Sequence, residues 1–305
     1  MLFLSQNCLA SEPILVFEVK KVPPQQETMP YRPYAVKFDH QGRIIVGDPD
    51  KKEILIFDKQ GKFIKSFGKE GRKEGEFLAD MGGIAIDSQN RIYVVDTHNS
   101  RIQVFDAEGN FLFQFGEVGS EKEKFSRARG IAVDVNGKIY VTDQEQGNIK
   151  MFDNQGHFLK VFIERDIRQG KLDEPEWIVV DKTGKIYVTH HGGGPRINVY
   201  DSAGNFILNF APQGQNPGEI FKDVEGIATD SKGHMFAVDE DDGRVEVYAE
   251  TGRYLFSLGK GIGSGPGEFL SPKGIDFDAV EQLLVVTDSW NSRIQIFDVK
   301  DIFER

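Results

Sequence analysis

The sequence predicts an all-β fold: a six-bladed β-propeller of four-stranded antiparallel blades, its ring closed by the N-terminal strand completing the last blade. Three observations carry that expectation. One sequence unit recurs six times at nearly constant spacing, each unit holds short strand-like runs separated by tight-turn chemistry, and the last unit lacks a strand that the N-terminus carries in surplus. Radial repetition of small sheets is one way a chain avoids long exposed sheet edges.

The unit is clearest as Gly83-Ile-Ala-Ile-Asp87, Arg91-Ile-Tyr-Val-Val-Asp96, Arg101-Ile-Gln-Val-Phe-Asp106 and Phe111-Leu-Phe-Gln-Phe115. Its first Asp recurs as Asp39, Asp87, Asp134, Asp181, Asp230 and Asp278, at successive spacings, by subtraction, of 48, 47, 47, 49 and 48. The aromatic–Asp pair that ends the third run recurs as Phe57-Asp58, Phe105-Asp106, Phe152-Asp153, Tyr200-Asp201 and Phe297-Asp298, with Tyr248-Ala249 in the remaining unit. Ile, Val, Phe and Tyr dominate the runs and suit a pleated surface. No segment sustains a helical period, so helices are expected to be minor.

Turn chemistry separates the runs. Asp39-His-Gln-Gly42, Asp134-Val-Asn-Gly137, Asp181-Lys-Thr-Gly184 and Asp230-Ser-Lys-Gly233 fit hairpins in which Gly takes a positive φ. Asp153-Asn-Gln-Gly156 and Asp201-Ser-Ala-Gly204 do the same between third and fourth runs. Longer connections lead from one unit to the next, and Gly75-Glu-Phe77, Gly267-Glu-Phe269, Gly218-Glu-Ile-Phe221 and Lys124-Phe125 place an aromatic in them. Such a Phe reads as an anchor buried between blades. The repeated Asp–Arg spacing of Asp96 with Arg101, Asp239 with Arg244 and Asp288 with Arg293 reads as a local ion pair bracing the loop between second and third strands.

The sixth unit offers three strands, Gly274–Asp278, Leu283–Asp288 and Ile294–Val299, while Ile14-Leu-Val-Phe-Glu-Val19 precedes the first unit as a lone strand. A solenoid would leave both ends open; pairing them makes a ring. The expected organisation is a single propeller over 14–299, an N-terminus 1–13 that is disordered or a signal remnant, and a C-terminal tail 300–305.

Of 305 residues, 37 are basic and 48 acidic, a net charge of −11, which argues against a nucleic-acid backbone as partner. The lone Cys8 excludes an intrachain disulfide and a Cys-rich metal site. Met1-Leu-Phe-Leu4 is apolar and Cys8-Leu-Ala10 is spaced like a signal-peptidase site, but no basic segment precedes them. Residues 1–10 read either as a truncated export signal, placing the protein in the periplasm or outside the cell, or as an ordinary N-terminus of a cytoplasmic protein. No stretch reaches the length of a membrane span.

The pattern Gly-Ile-Ala-x-Asp, Ile-Tyr-Val-x-Asp and Asn-x-Arg-Ile-Gln-Val-Phe-Asp resembles the NHL repeat over essentially residues 14–299, best in Gly83–Phe115 and Gly274–Asp298. The resemblance implies the propeller fold. It leaves function open, because propellers of that kind bind RNA, bind proteins, act as sensors or catalyse reactions. NHL-type amidating lyases hold a metal with His where innermost strands begin. Here those positions are Ala35, Gly83, Gly130, Trp177, Gly226 and Gly274, preceded by Tyr34, Gly82, Arg129, Glu176, Glu225 and Lys273. None is His, so that activity is not expected.

The same positions should surround the channel mouth. Tyr34, Arg129, Glu176, Trp177, Glu225 and Lys273 then form a mixed polar and aromatic rim, either a seat for a small polar ligand or peptide or a solvated ring of paired charges. His98, His190 and His191 break the repeat in loops on that face, His191 being followed by Gly192-Gly-Gly-Pro195. They offer metal-ligand chemistry, although adjacent strand residues point to opposite sides. Trp290, in Asp288-Ser-Trp-Asn-Ser-Arg293, suits an interface anchor. Asp239-Glu-Asp-Asp-Gly243 is an acidic cluster that reads as a solvated turn rather than a Ca²⁺ loop. His40, His157 and His234 fall in turns on the opposite face and are expected to be exposed.

The leading expectation is a non-enzymatic binding scaffold that presents Tyr34, His98, Arg129, Glu176, Trp177, His190, His191, Glu225, Lys273 and Trp290 to a protein, peptide or small polar partner. The alternative is a metal-dependent hydrolase or lyase in the central channel, with a divalent cation near Glu176 and Glu225. No catalytic residue or bound cofactor is assigned at this level.

Overall fold

The structure is a computed structural model that describes residues 8–9, 12–20, 31–164, 172–191, 194, 196–220 and 223–303. Six antiparallel sheets follow one another along the chain. Blade 1 is Ala35–Phe38, Ile44–Asp48, Glu53–Phe57 and Phe63–Phe67; blade 2 is Met81–Ile86, Ile92–Asp96, Arg101–Phe105 and Phe111–Phe115. Blade 3 is Ala128–Val133, Ile139–Asp143, Asn148–Phe152 and Phe158–Ile163; blade 4 is Pro175–Val180, Ile186–His190, Ile197–Tyr200 and Phe206–Phe210. Blade 5 is Val224–Thr229, Met235–Asp239, Arg244–Tyr248 and Tyr254–Leu258, and blade 6 is Pro272–Asp278, Leu283–Asp288 and Arg293–Asp298 with Leu15–Glu18 as its outer strand.

That last pairing closes the ring as expected. Leu15 faces Ile296 and Glu18 faces Arg293 in an antiparallel ladder. Each first strand also packs against the next around the axis, blade 6 against blade 1 included. A second N-terminal segment, Cys8–Leu9, runs parallel to the outer strand of blade 5 at Ser257 and Leu258. The rest of 1–10, read above for an export signal, lies outside the described residues, as do Phe221 and most of Gly192–Pro195. At the other end Ile302 is buried, and Phe303 stacks on His234 with centroids 3.8 Å apart. His234 is therefore covered rather than exposed, and it pairs with Asp230 at 2.7 Å. Helix is confined, among the described residues, to the short turns Thr97–Asn99 and Ser289–Asn291.

The recurrent Asp has a local job. Asp39 Oδ1 accepts the amides of Gln41 and Arg43, and Asp87 Oδ1 those of Gln89 and Arg91, so the carboxylate holds each hairpin turn. The second and third strands of every blade are buried, which accounts for their β-branched and aromatic content. Three of the expected inter-blade anchors, Phe77, Phe125 and Phe269, are fully buried; ahead of blade 5 it is Ile220 that is buried at the equivalent bridge, the expected Phe221 lying outside the described residues.

Blades 2 and 6 share a polar node beneath these loops. Arg101 Nε donates to Asp96 at 2.9 Å and Arg293 Nε to Asp288 at 2.6 Å. Gln103 Nε2 donates to Glu76 O and to Asp96 Oδ2, and its Oε1 accepts the Gly75 amide. Gln295 repeats all three bonds with Glu268, Asp288 and Gly267. Every buried polar atom finds a partner, which is what makes such a node stabilising. The third expected ion pair is corrected: in blade 5 Arg244 turns to Asp242, with its Nε 3.5 Å from Glu246.

Candidate active site

Where the first strands begin, their backbones nearly touch. A Cβ on Gly130 would sit 2.3 Å from Glu176 O, and one on Gly82 would sit 2.2 Å from Arg129 O. That closeness draws the preceding side chains toward the axis. Gly82 adds a gap in the rim, through which Arg129 of blade 3 reaches past blade 2 to Tyr34 of blade 1, Nη2 to hydroxyl at 2.8 Å.

Tyr34, Arg129, Glu176, Trp177, Glu225 and Lys273 do come together, but not as an open rim. Tyr34 and Trp177, from opposite blades, lie with ring centroids 5.5 Å apart and close the mouth across the axis. They belong to an apolar cluster that includes Ala35, Met81, Val224 and Ile227. Around this plug runs a chain of charge. Arg129 binds Glu176 Oε2 at 2.8 Å and also Asp80. Glu176 Oε1 accepts from Gln144. Glu225 Oε2 accepts from Trp177 Nε1 at 3.2 Å, and its Oε1 from Lys273 Nζ at 2.9 Å. Lys273 also binds Glu240, which accepts in addition from Ser271.

The surroundings push these groups apart in acidity. Burial raises the Glu225 carboxyl; Lys273 opposes that, and Glu176 and Glu240 reinforce it. Burial works the same way on Glu240, but hydrogen bonds from Lys273 and Ser271 outweigh it and hold that carboxyl below its ordinary value. Burial alone would lower Lys273, yet the two carboxylates raise it. Tyr34 is pushed well up by burial, only partly offset by Arg129, so its phenol stays protonated.

Beside Gln144 lies a polar hollow of about 390 Å³ lined by Arg127, Gln144, Glu145, Asp173 and Glu174. A larger groove, about 510 Å³, lies on the opposite face between blades 6 and 1, lined in part by Phe38, His40, Phe277 and Val280. Two of its acids are committed to structure, Asp39 to its turn and Arg43, Asp276 to Lys37.

The remaining expected site residues stand apart from this network. His98 Nδ1 is tied to Ala79 O. His190 is buried at the end of its strand with its amide bonded to Arg196 O, and the half-buried His191 has its amide on Glu174 O at 3.4 Å. Trp290 is 61% exposed, with the Arg32 guanidinium 4.7 Å over its ring. Among the described residues no three His, Cys, Asp or Glu side chains are grouped to hold a metal ion. The oxygens of Glu176 and Glu225 already accept from Arg129, Gln144, Trp177 and Lys273, so this donor set does not fit the divalent cation expected there. Sequence reasoning missed Asp80, Gln144 and Glu240; the repeat-breaking acidic run at Asp239–Asp242 was the available signal for the last.

Comparison with known proteins supports the frame. A family described as a 6-bladed beta-propeller matches over residues 26–115, 86–162 and 220–305, and the chain belongs to that family. No curated protein matches the sequence. Among solved structures, a protein of unknown function from Bacteroides thetaiotaomicron is similar with TM-score 0.70 and 13% identity, covering 94% of this chain and 73% of that one. A catalytically inactive virginiamycin B lyase from Staphylococcus aureus with quinupristin is similar with TM-score 0.61 and 14% identity, covering 93% and 88%. A gluconolactonase from Xanthomonas campestris is similar with TM-score 0.64 and 16% identity, covering 88% and 86%. At such identity the likeness is one of fold. The expectation of a non-enzymatic scaffold is corrected to this extent: those of these neighbours with a stated activity are a lyase and a gluconolactonase, so the frame does not favour a scaffold over an enzyme.

Proposed function

We propose that this member of the 6-bladed beta-propeller family is a hydrolase or lyase working at the channel mouth on a small polar substrate, with Glu225 as the proton-transfer group. The observation that carries the reading is Lys273 held between two carboxyls that their surroundings push in opposite directions, Glu225 up and Glu240 down. Two such groups with separated acidities are the usual basis for assigning an acid and a base. In ester or lactone hydrolysis, Glu225 as carboxylate takes a proton from the attacking water. The acyl C–O bond then breaks, and the proton passes to the leaving alkoxide. The Lys273 ammonium offers charge to the developing oxyanion. Glu240 keeps Lys273 in place. Tyr34 and Trp177 form the floor, and the hollow beside Gln144 is the substrate's entry.

The reading includes the NHL-repeat affiliation, carried by the Arg101-Ile-Gln-Val-Phe-Asp106 type of motif, and a single domain over 14–299. Gluconolactone, virginiamycin B and quinupristin make a first panel, followed by acid release and by product mass. Glu225→Gln and Lys273→Met should each lower kcat by about 100-fold or more. Variants as active as the parent, or no turnover across the panel, would count against the assignment.

A further inference from the structure

One position of the third strand faces the middle of the second strand in every blade, as Leu55, Gln103, Lys150, Asn198, Glu246 and Gln295; it is apolar in blade 1 and polar in the other five. In blades 2 and 6 it is a glutamine whose amide donates twice, to the node's Asp and to a loop carbonyl, while its oxygen accepts a loop amide. Blade 5 has the same Asp, Asp239, and the same loop, entered through Gly218-Glu-Ile220, but a carboxyl in place of the amide. A carboxylate accepts only; to make even one of the glutamines' two donations, it must carry a proton.

We propose that Glu246 is a positioning residue that works as a protonated carboxylic acid, standing in for the glutamine amide of blades 2 and 6 to pin the loop before Glu225, and that its ionisation loosens that loop.

Glu246 is fully buried. From the outer strand Ser257 donates to its Oε2 at 2.7 Å, and Tyr254 hydroxyl touches Ser257 at 2.8 Å. From the second strand Asp239 adds negative charge; from the loop the Gly218 amide lies against it; on its own strand Arg244 approaches its Oε1 to 3.5 Å but is bound to Asp242. Tyr248 hydroxyl, nearby, donates to Gly218 O at 3.2 Å. Glu246 Oε1 is buried without a hydrogen-bond partner, Arg244 Nε standing 3.5 Å away, and a buried carboxyl left short of donors favours its neutral form. Burial is the main cause pushing this carboxyl up, to about 7, with Asp239 adding to it against Ser257, Arg244 and Gly218. The described part of the loop, 212–220, precedes the strand of Val224 and Glu225 in the chain. The consequence for catalysis rests on the role given to Glu225; the behaviour of the loop does not.

Amide hydrogen exchange on the full-length protein tests this without any substrate. Protection over residues 212–220, corrected for the intrinsic pH dependence of exchange, should fall about tenfold between pH 6 and pH 8 in the parent. In Glu246→Gln it should stay high at both, and the blade 2 loop over 69–77 should be indifferent in either protein. Glu246→Ala should be loose at both pH values, which separates loss of the donor from its titration. A parent loop whose protection ignores pH, or one that loosens equally in Glu246→Gln, would overturn the proposal.

Discussion

Blades 2 and 5 have the same backbone and opposite polar interiors. In blade 2 one carboxylate, Asp96, meets Arg101, Gln103 and Asn99, and each donor points inward. In blade 5 two acids, Asp239 and Glu246, share the equivalent buried space, and Arg244 has turned partly to solvent to meet Asp242. The difference teaches which part of a repeat is frame and which is free to specialise. Strand register is the same in both, so backbone geometry tolerates either interior. What changes is charge balance, and it changes in the blade that also supplies Glu225 and Glu240.

The comparison treats blades as equivalent units of a closed ring, and the largest expected effect comes from opening it. Deleting residues 1–20 removes Leu15–Glu18 from blade 6 and the Phe17 ring from its place 5.2 Å from Phe57. Thermal unfolding should lose cooperativity or shift down by about 10 °C or more. An unchanged melting curve would break the ring reading and with it the equivalence. Next in size is a paired substitution that sharpens the contrast. Arg101→Ala strands a buried carboxylate and should cost about 3–5 kcal/mol by denaturant titration. Arg244→Ala removes a partner from the part-exposed Asp242 and should cost about 1 kcal/mol or less. Equal losses would show that the two nodes work alike after all.

Much of this was legible in the sequence because the repeat supplies its own alignment. The phase of Asp39, Asp87 and their successors places Tyr34, Arg129, Glu176, Trp177, Glu225 and Lys273 at one level of one channel. Repeat phase does not say how far a side chain reaches. Arg129 meets Tyr34 two blades away, and Tyr34 meets Trp177 across the axis, contacts that the spacing of the repeat does not specify. Asp80, Gln144 and Glu240 come from loops, where spacing carries no direction. Glu246 was visible as an acid where Gln103 and Gln295 stand, but it draws notice only once those glutamines are seen to donate.

The effect that separates the two nodes most finely is one of pH, because blade 5 has an acid where blade 2 has an amide. Burial in the folded state pushes Glu246 from 4.5 to about 7. Below about pH 4.5 both folded and unfolded chains hold this proton, and the group is neutral in its effect. Between there and pH 7 the unfolded chain releases it while the folded chain retains it, so stability falls as pH rises and levels off above pH 7. Glu246→Gln lacks that linkage. It should match the parent at pH 4 and exceed it at pH 8 by up to roughly 2–3 kcal/mol in urea titrations. Gln103→Glu in blade 2 is the converse substitution: it should install a pH-dependent loss of stability beside Asp96. A constant difference between parent and Glu246→Gln across that range would mean that the blade 5 acid titrates alike in the folded and unfolded chains, so that it does not hold its proton on folding.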